Sequence, residues 1–245
     1  MKTALVTGSY KGLGLAIAKR LATEKEMTVF ISGRDLSKVT STQRELADSG
    51  IHVEAVSLDV DSDQSAEAAI SEIDQKHGRL DVLINNAGIN PTYDPTESSL
   101  STVKPSILNE TFNTNATGVL RMIQAALPLM RKNGYGRIVN VSTEMASLRS
   151  MASDQYLLAV SYRVSKLALN GIVALAAKEL AGTDILVNAY SPGWLQTDMG
   201  GPDAPFTAEE GAETALYLAT LPTGGPSGRF FAEMRRFGGP MELPW

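Results

Sequence analysis

Seven short apolar runs punctuate the chain: "TALVT" (3–7), "MTVFIS" (27–32), "HVEAVSL" (52–58), "LDVLIN" (80–85), "RIVNVS" (137–142), "ILVNAYS" (185–191) and "GRFFAE" (228–233). Between them lie longer stretches whose apolar residues recur every three or four positions, as Leu13, Ile17 and Leu21 do. The short runs read as buried strands and the longer stretches as helices with one apolar face. Such alternation predicts an α/β fold: a parallel sheet covered by helices on both faces. Asp35 and Asp61 stand where helix N-caps belong, and Gly50 and Gly78 where helices should stop. The stretch "ETFNTNATGVLRMIQAAL" (110–127) reads as one long helix packed on the sheet.

No repeat, low-complexity tract or linker interrupts the pattern, so residues 1–245 are expected to form one domain. Two segments break the rhythm, 89–106 and 192–206, both rich in Pro, Gly, Ser or Thr and both following a strand. Ligands of open α/β sheets bind outside the carboxyl ends of the strands, so these two loops should line a substrate site.

Composition narrows the chemistry. The chain is 43% hydrophobic with a net charge of −5, which leaves no clustered basic surface for a nucleic acid. With no cysteine and only two histidines, His52 and His77, a metal site is not expected and a thiol nucleophile is ruled out. The longest apolar helical stretch, "LALNGIVALAA" (167–177), is short and interrupted by Asn170 and Gly171, and the N-terminus lacks a signal-peptide core. The expectation is a cytoplasmic protein with no membrane partner.

Three glycines, Gly8, Gly12 and Gly14, occupy the turn from the first strand to the first helix. Glycine there permits positive φ and close approach of a ligand, while the helix N-terminus offers free N–H groups to a pyrophosphate. The spacing T-G-x-x-x-G-x-G is neither the common dinucleotide fingerprint nor a P-loop. By itself it also fits a tight turn with close helix packing.

The turn is joined by "NNAG" (85–88), "NATG" around Asn115, "GRIVNVST" (136–143), Tyr162-x-x-x-Lys166 and Pro192-Gly193. In order and spacing this set resembles the short-chain dehydrogenase/reductase family, and "YRVSKLALN" with "PGWLQTDMGGPDAPFTAEEGAETALYLATLP" is similar to its carbonyl-reductase branch. The resemblance implies a doubly wound, mostly parallel, Rossmann-like sheet of about seven strands, a nicotinamide cofactor and an oxidoreductase transferring hydride at a carbonyl carbon.

Reducing a carbonyl requires a proton donor at oxygen. Tyr162 and Lys166 lie four apart in a helical pattern and so emerge on one face. Moving a tyrosine from a pKa of ~10 toward ~7 takes about 4 kcal/mol of preference for the phenolate, which a nearby ammonium and an oxidised nicotinamide could supply. The resemblance makes Tyr162 the donor, Lys166 its partner and a ribose ligand, and Asn115 a relay through water to the lysine. A buried asparagine tying helix to loop is the plainer reading of Asn115. Most relatives end the fifth strand in two serines and this chain has Ser142 and Thr143, so the motif count puts the carbonyl-binding hydroxyl on Thr143, with Ser142 as the alternative.

For the cofactor, the resemblance implies contacts from the turn (Gly8, Tyr10, Lys11, Gly12, Leu13 and Gly14), from Asp59 and Val60 at the adenine, from Asn86, Ala87 and Gly88 at its ribose, from Pro192 and Gly193, and from Thr197 at the carboxamide. Asp59 also reads as a simple turn residue. About twenty residues beyond Gly14, where an acid would favour NAD, stands Arg34. Arg34 and Lys11 together read as 2′-phosphate ligands and predict NADP(H) over NAD(H); two solvated surface charges is the bland reading.

Two other functions fit the same residues: an NAD(P)-linked alcohol dehydrogenase working oxidatively, and a non-catalytic NAD(P)-binding regulatory protein. A methyltransferase would have no use for the Tyr-x-x-x-Lys pair. Trp194, Leu195, Met199, Phe206 and Met151 read either as a partly apolar substrate pocket or as core. Monomer, dimer and tetramer all stay open, and the partner is a small-molecule carbonyl or alcohol.

Overall fold

The computed structural model describes all residues, 1–245. The chain runs β1 (Thr3–Val6), α1 (Gly12–Glu24), β2 (Thr28–Gly33), α2 (Leu36–Asp48), β3 (Glu54–Ser57), α3 (Asp63–His77) and β4 (Val82–Asn85), closing the first half. It continues through α4 (Pro105–Phe112), α5 (Gly118–Asn133), β5 (Gly136–Val141), α6 (Val160–Glu179) and β6 (Ile185–Tyr190). Three short helices, α7 (Ala208–Gly211), α8 (Glu213–Ala219) and α9 (Met234–Phe237), surround the two-residue strand β7 (Phe230–Phe231).

The seven strands form one sheet in the order β3-β2-β1-β4-β5-β6-β7, every neighbouring pair parallel. The order reverses between β1 and β4, and there the carboxyl ends open a crevice. Because successive strand residues point to opposite faces, the largely apolar strands feed two cores at once. Ala4, Val6, Val29, Ile31, Val82 and Ile84 pack with Ile17 and Leu21 of α1 on one face. Leu5, Phe30, Leu83 and Ile138 pack with Ile73 of α3 and Val119, Met122 and Ile123 of α5 on the other. Burying each large side chain of this kind is worth about 1.5–3 kcal/mol.

Three local expectations change. Ser62, not Asp61, caps α3: its hydroxyl accepts from Ser65 N–H, while an Asp61 carboxylate oxygen accepts from the Thr114 hydroxyl at 3.0 Å. The helix starts one residue later than the pattern suggested because Ser62 is still extended. The stretch 110–127 is not one regular helix, since a π turn over Asn113–Thr117 joins α4 to α5. The outer strands are also shorter than their apolar runs, β3 covering only Glu54–Ser57 and β7 only Phe230–Phe231. Asp35 caps α2 as expected, its carboxylate accepting from Ser37 and Lys38 N–H, and Gly78 closes α3 with a left-handed φ of 66°.

Candidate active site

The glycine turn is a cradle locked from beneath. Gly8 and Gly12 have φ of 61° and 55°, the left-handed region that favours glycine. At Gly14 a Cβ would lie 2.5 Å from the Asn86 amide nitrogen and 2.7 Å from Gly8 O. That amide donates to Thr7 O at 2.9 Å and Gly8 O at 3.0 Å, while the Thr7 hydroxyl accepts from Asn86 N–H (3.0 Å) and Ala87 N–H (2.9 Å). The Asn86 side chain is therefore spent on shaping the turn. Thr7, to which the sequence reading gave no role, is the other half of that lock; a hydroxyl directly before the first glycine was its only signal.

Around the turn, the Tyr10 ring covers Gly33, where a Cβ would meet it at 2.8 Å, and Leu13 is buried. Arg34 is exposed at the end of β2 with no ion pair, whereas the Lys11 ammonium bonds Asp198 at 2.6 Å and is raised in pKa chiefly by that bond. The two cations expected side by side are thus differently committed. Asp59 accepts from Asp61 N–H at 3.0 Å, a turn contact, and its own N–H donates to Ser65 Oγ at 2.9 Å. Val60 is buried, and its carbonyl lies 3.0 Å from where a Gly118 Cβ would be.

Across the crevice, Gly88 makes room for two side chains. A Cβ there would sit 3.0 Å from Asn115 Oδ1 and 3.4 Å from Lys166 Nζ, so the "NNAG" segment at the end of β4 meets the π turn and α6 at this glycine. Asn115, in the π turn, donates to Ile89 O (2.8 Å) and Ser165 Oγ (2.9 Å) and accepts from Ile89 N–H (2.8 Å). Its side chain ties helix to loop, the plainer of the two expectations.

Lys166 is 3% exposed and donates to Val141 O at 2.7 Å; its burial lowers the ammonium to about 8. Nζ stands 5.9 Å from the Tyr162 ring centroid. Burial pushes the Tyr162 hydroxyl up to about 12, the reverse of the sequence expectation, because in the chain alone desolvation of the phenolate dominates and nothing offsets it.

The adjacent hydroxyls split. Ser142 is buried and donates to Asn170 Oδ1 of α6 at 2.6 Å. Thr143 accepts from Met145 N–H at 3.3 Å as the cap of a single 3₁₀ turn, Glu144–Ala146. Asn170 follows Lys166 by four residues as Lys166 follows Tyr162, and that shared period is the signal in the sequence that places it on the same face of α6.

The loop after β6 closes the cofactor side. Gly193, at φ 81°, lies under Glu233 and the Phe206 ring, each 3.3 Å from where its Cβ would be. The Thr197 methyl group would stand 3.5 Å from a Gly12 Cβ, which brings that threonine to the glycine turn. Leu195 is core, whereas Trp194 and Met199 are half or more exposed and Phe206 and Met151 are half-buried. Nothing in the chain gathers three or more metal-ligating side chains, and no helix is long and apolar enough to cross a membrane.

The model of the short chain dehydrogenase family matches residues 2–206. The chain is 33% identical to carbonyl reductase [NADPH] 1 of Homo sapiens, across 95% of this chain and 96% of that protein. It is 35% identical to the short-chain dehydrogenase anuI of Penicillium roqueforti, across 88% and 87%. Among solved structures it superposes on the NADPH-bound carbonyl reductase from chicken fatty liver with a TM-score of 0.86 at 27% identity, covering 100% and 99% of the two chains. Carbonyl reductase Sniffer of D. melanogaster gives 0.85 at 25% identity, covering 100% of both. With the glycine cradle, the "NNAG" lock and the Tyr162–Lys166 helix all at one crevice, the chain belongs to the short chain dehydrogenase family.

Proposed function

We propose that this protein is an NADPH-dependent reductase that converts the carbonyl of a small ketone or aldehyde to an alcohol in the cytoplasm. The observation that carries the reading is the meeting of Lys166 and Asn115 over the bare face of Gly88, with Tyr162 one helical turn before the lysine. The glycine cradle fits a dinucleotide: two left-handed glycines and a third with no space for a Cβ leave main-chain N–H groups bare at the start of α1. The names of the relatives, NADPH-linked carbonyl reductases, favour the same cofactor.

When bound, NADPH supplies hydride to the carbonyl carbon. The turn Gly8–Gly14 with Tyr10 and Leu13 holds the pyrophosphate; Asp59, Val60, Ala87 and the Asn86 backbone border the adenosine; Pro192, Gly193 and Thr197 hold the carboxamide. Arg34 meets the 2′-phosphate, and Lys11 joins it only by leaving Asp198. Thr143 donates its hydroxyl hydrogen to the carbonyl oxygen, and Tyr162 gives its phenolic proton to the same oxygen as the alcohol forms. Lys166 stabilises the tyrosine left without its proton and returns one from solvent. Since both amide hydrogens of the Asn115 side chain are taken, a relay that needs a donor there is left to main-chain groups of the π turn.

The test is a screen of NADPH oxidation against aldehydes, ketones, quinones and diketones, with Tyr162→Phe beside the wild type. General acid catalysis contributes about 10²-fold or more, so turnover by the variant should fall at least that far with NADPH affinity within about twofold. A variant retaining more than about a tenth of wild-type kcat would remove Tyr162 from the role.

A further inference from the structure

The helix that carries Tyr162 begins badly. Its N-cap position is Ala159, at φ 37°, a left-handed conformation that alanine rarely takes and a side chain with nothing to offer the free N–H groups of the first turn. Arg163 N–H reaches Ala159 O at 3.0 Å, leaving the N–H groups before it to find partners elsewhere.

One partner comes from 64 positions upstream. Glu97, in a 3₁₀ turn (Pro95–Ser98) of the loop after β4, is 2% exposed. One carboxylate oxygen accepts from Ser161 N–H at 2.8 Å and the other from the Ser161 hydroxyl at 2.7 Å. Ser161 is the residue directly before Tyr162. On the other side of the tyrosine, Arg163 is paired with Asp154 at 2.5 Å and donates to the carbonyls of Leu157 (3.2 Å) and Met151 (3.3 Å). Tyr162 thus stands between two residues held by carboxylates from two different loops, the buried Glu97 and the partly buried Asp154.

Burying a carboxylate is expensive, and an apolar side chain of similar volume would often serve stability as well or better. What a carboxylate adds here is direction: two acceptors fix both the main chain and the side chain of one residue, at the end of a helix that lacks its own cap, where the partial positive charge also favours an anion. From this geometry we infer that Glu97 is a positioning residue for the reaction, setting through Ser161 where the Tyr162 hydroxyl stands. It also makes the loop 89–106 part of the catalytic machinery, because any displacement of that loop moves the start of the tyrosine helix. The inference rests on the reading of Tyr162 as proton donor.

Glu97→Ala, Glu97→Gln and Ser161→Ala form a graded series, assayed with 4-nitrobenzaldehyde and with menadione as the carbonyl probes. NADPH binding is followed by nucleotide fluorescence, and kcat is compared in H₂O and D₂O. Glu97→Ala should lower kcat about tenfold while leaving the NADPH Kd within about twofold, and the solvent isotope effect should rise as proton transfer slows. Glu97→Gln and Ser161→Ala each keep the main-chain bond, so an intermediate loss of about threefold is expected, again with a raised isotope effect. Wild-type kcat and isotope effect in all three variants would overturn the inference, as would losses that follow NADPH affinity alone. If Glu97→Ala does not fold, the other two variants decide by the same criteria. Failure of the underlying reading would show separately, as retained turnover in Tyr162→Phe.

Discussion

The two sides of the crevice are held by different means. On the β1 side, the cofactor turn is fixed by main-chain groups and short side chains close in sequence to the two motifs they serve: Thr7 and Asn86 bond Gly8, Ala87 and each other's backbones, and Gly14 fits against them without a side chain. On the α6 side, the two neighbours of Tyr162 are tied by carboxylates from other loops, Ser161 by Glu97 and Arg163 by Asp154. The end of the chain adds a further brace, with Trp245 stacked on Phe230 and its carbonyl accepting from Arg149 N–H at 3.2 Å. A turn built from residues with few rotamers has little freedom to lose when it closes on a nucleotide. A tyrosine whose neighbours are held by loop contacts shifts when those loops shift.

The sharpest way to break the first side without touching the second is Gly14→Ala. Its new methyl would lie 2.5 Å from the Asn86 amide nitrogen, 2.7 Å from Gly8 O and 2.9 Å from Ser9 Cα, and two of these neighbours are main chain that cannot yield. The added strain and the displaced Asn86 amide together should weaken NADPH binding by roughly 100-fold or more, as overpacking against fixed atoms costs about 1–3 kcal/mol and the lost bonds add to it. Fluorescence titration measures this. Binding within about threefold of wild type would show that the cradle deforms freely.

Much of the β1 side was legible in the sequence because its determinants are local. Strand alternation, the Asp35 cap and the glycine spacing each follow from residues a few positions apart, and the structure realises the sheet those patterns imply. The α6 side was legible only as motifs. Glu97 lies 64 residues from Ser161 with nothing in its neighbourhood to mark it as buried, and the partner of Lys11 is 187 residues away. The π turn at Asn113–Thr117 escaped for a related reason: its residues keep a helical hydropathy pattern while the backbone takes an extra residue into one turn. Tertiary contacts decide such details, and periodicity does not register them.

Next in size is the division of labour at the end of β5. Ser142 is committed to Asn170 at 2.6 Å, whereas the Thr143 oxygen accepts only a 3.3 Å contact and its hydrogen has no acceptor in the chain. Thr143→Val preserves shape and removes the hydroxyl; it should lower kcat/KM roughly 30-fold or more, a loss of about 2 kcal/mol or more in transition-state stabilisation. Ser142→Ala should cost activity only a few-fold while lowering Tm, since its hydroxyl serves packing against α6. The reverse ranking would move the carbonyl-binding role to Ser142.

A smaller effect is expected at the 2′-phosphate. Arg34 is exposed and free of any ion pair, so it can turn to a phosphate without losing another partner. Arg34→Asp puts repulsion in that place and should erase or invert the preference for NADPH over NADH, a change of about tenfold or more in the ratio of kcat/KM values. Equal use of both cofactors by the wild type would dispose of the assignment.

The smallest effect tests whether Lys11 belongs to the same phosphate. Its ammonium is bonded to Asp198 at 2.6 Å, with side chains 56% and 79% exposed, and the bond crosses from the cofactor turn to the loop after β6. Exposed pairs of this kind contribute little to folding and are weakened by salt, so Lys11 can exchange Asp198 for a phosphate at small cost. Asp198→Asn removes the competing charge while keeping a side chain of the same shape. If Lys11 is a 2′-phosphate ligand, this variant should bind NADPH about two- to fivefold more tightly at low ionic strength, with the gain shrinking as salt rises and with NADH affinity almost unchanged. Lys11→Gln in the Asp198→Asn background should then cancel the gain. If Asp198→Asn leaves NADPH affinity unchanged or weakens it, Lys11 serves to fasten the β6 loop over the turn, and Arg34 alone carries the selectivity for the phosphate.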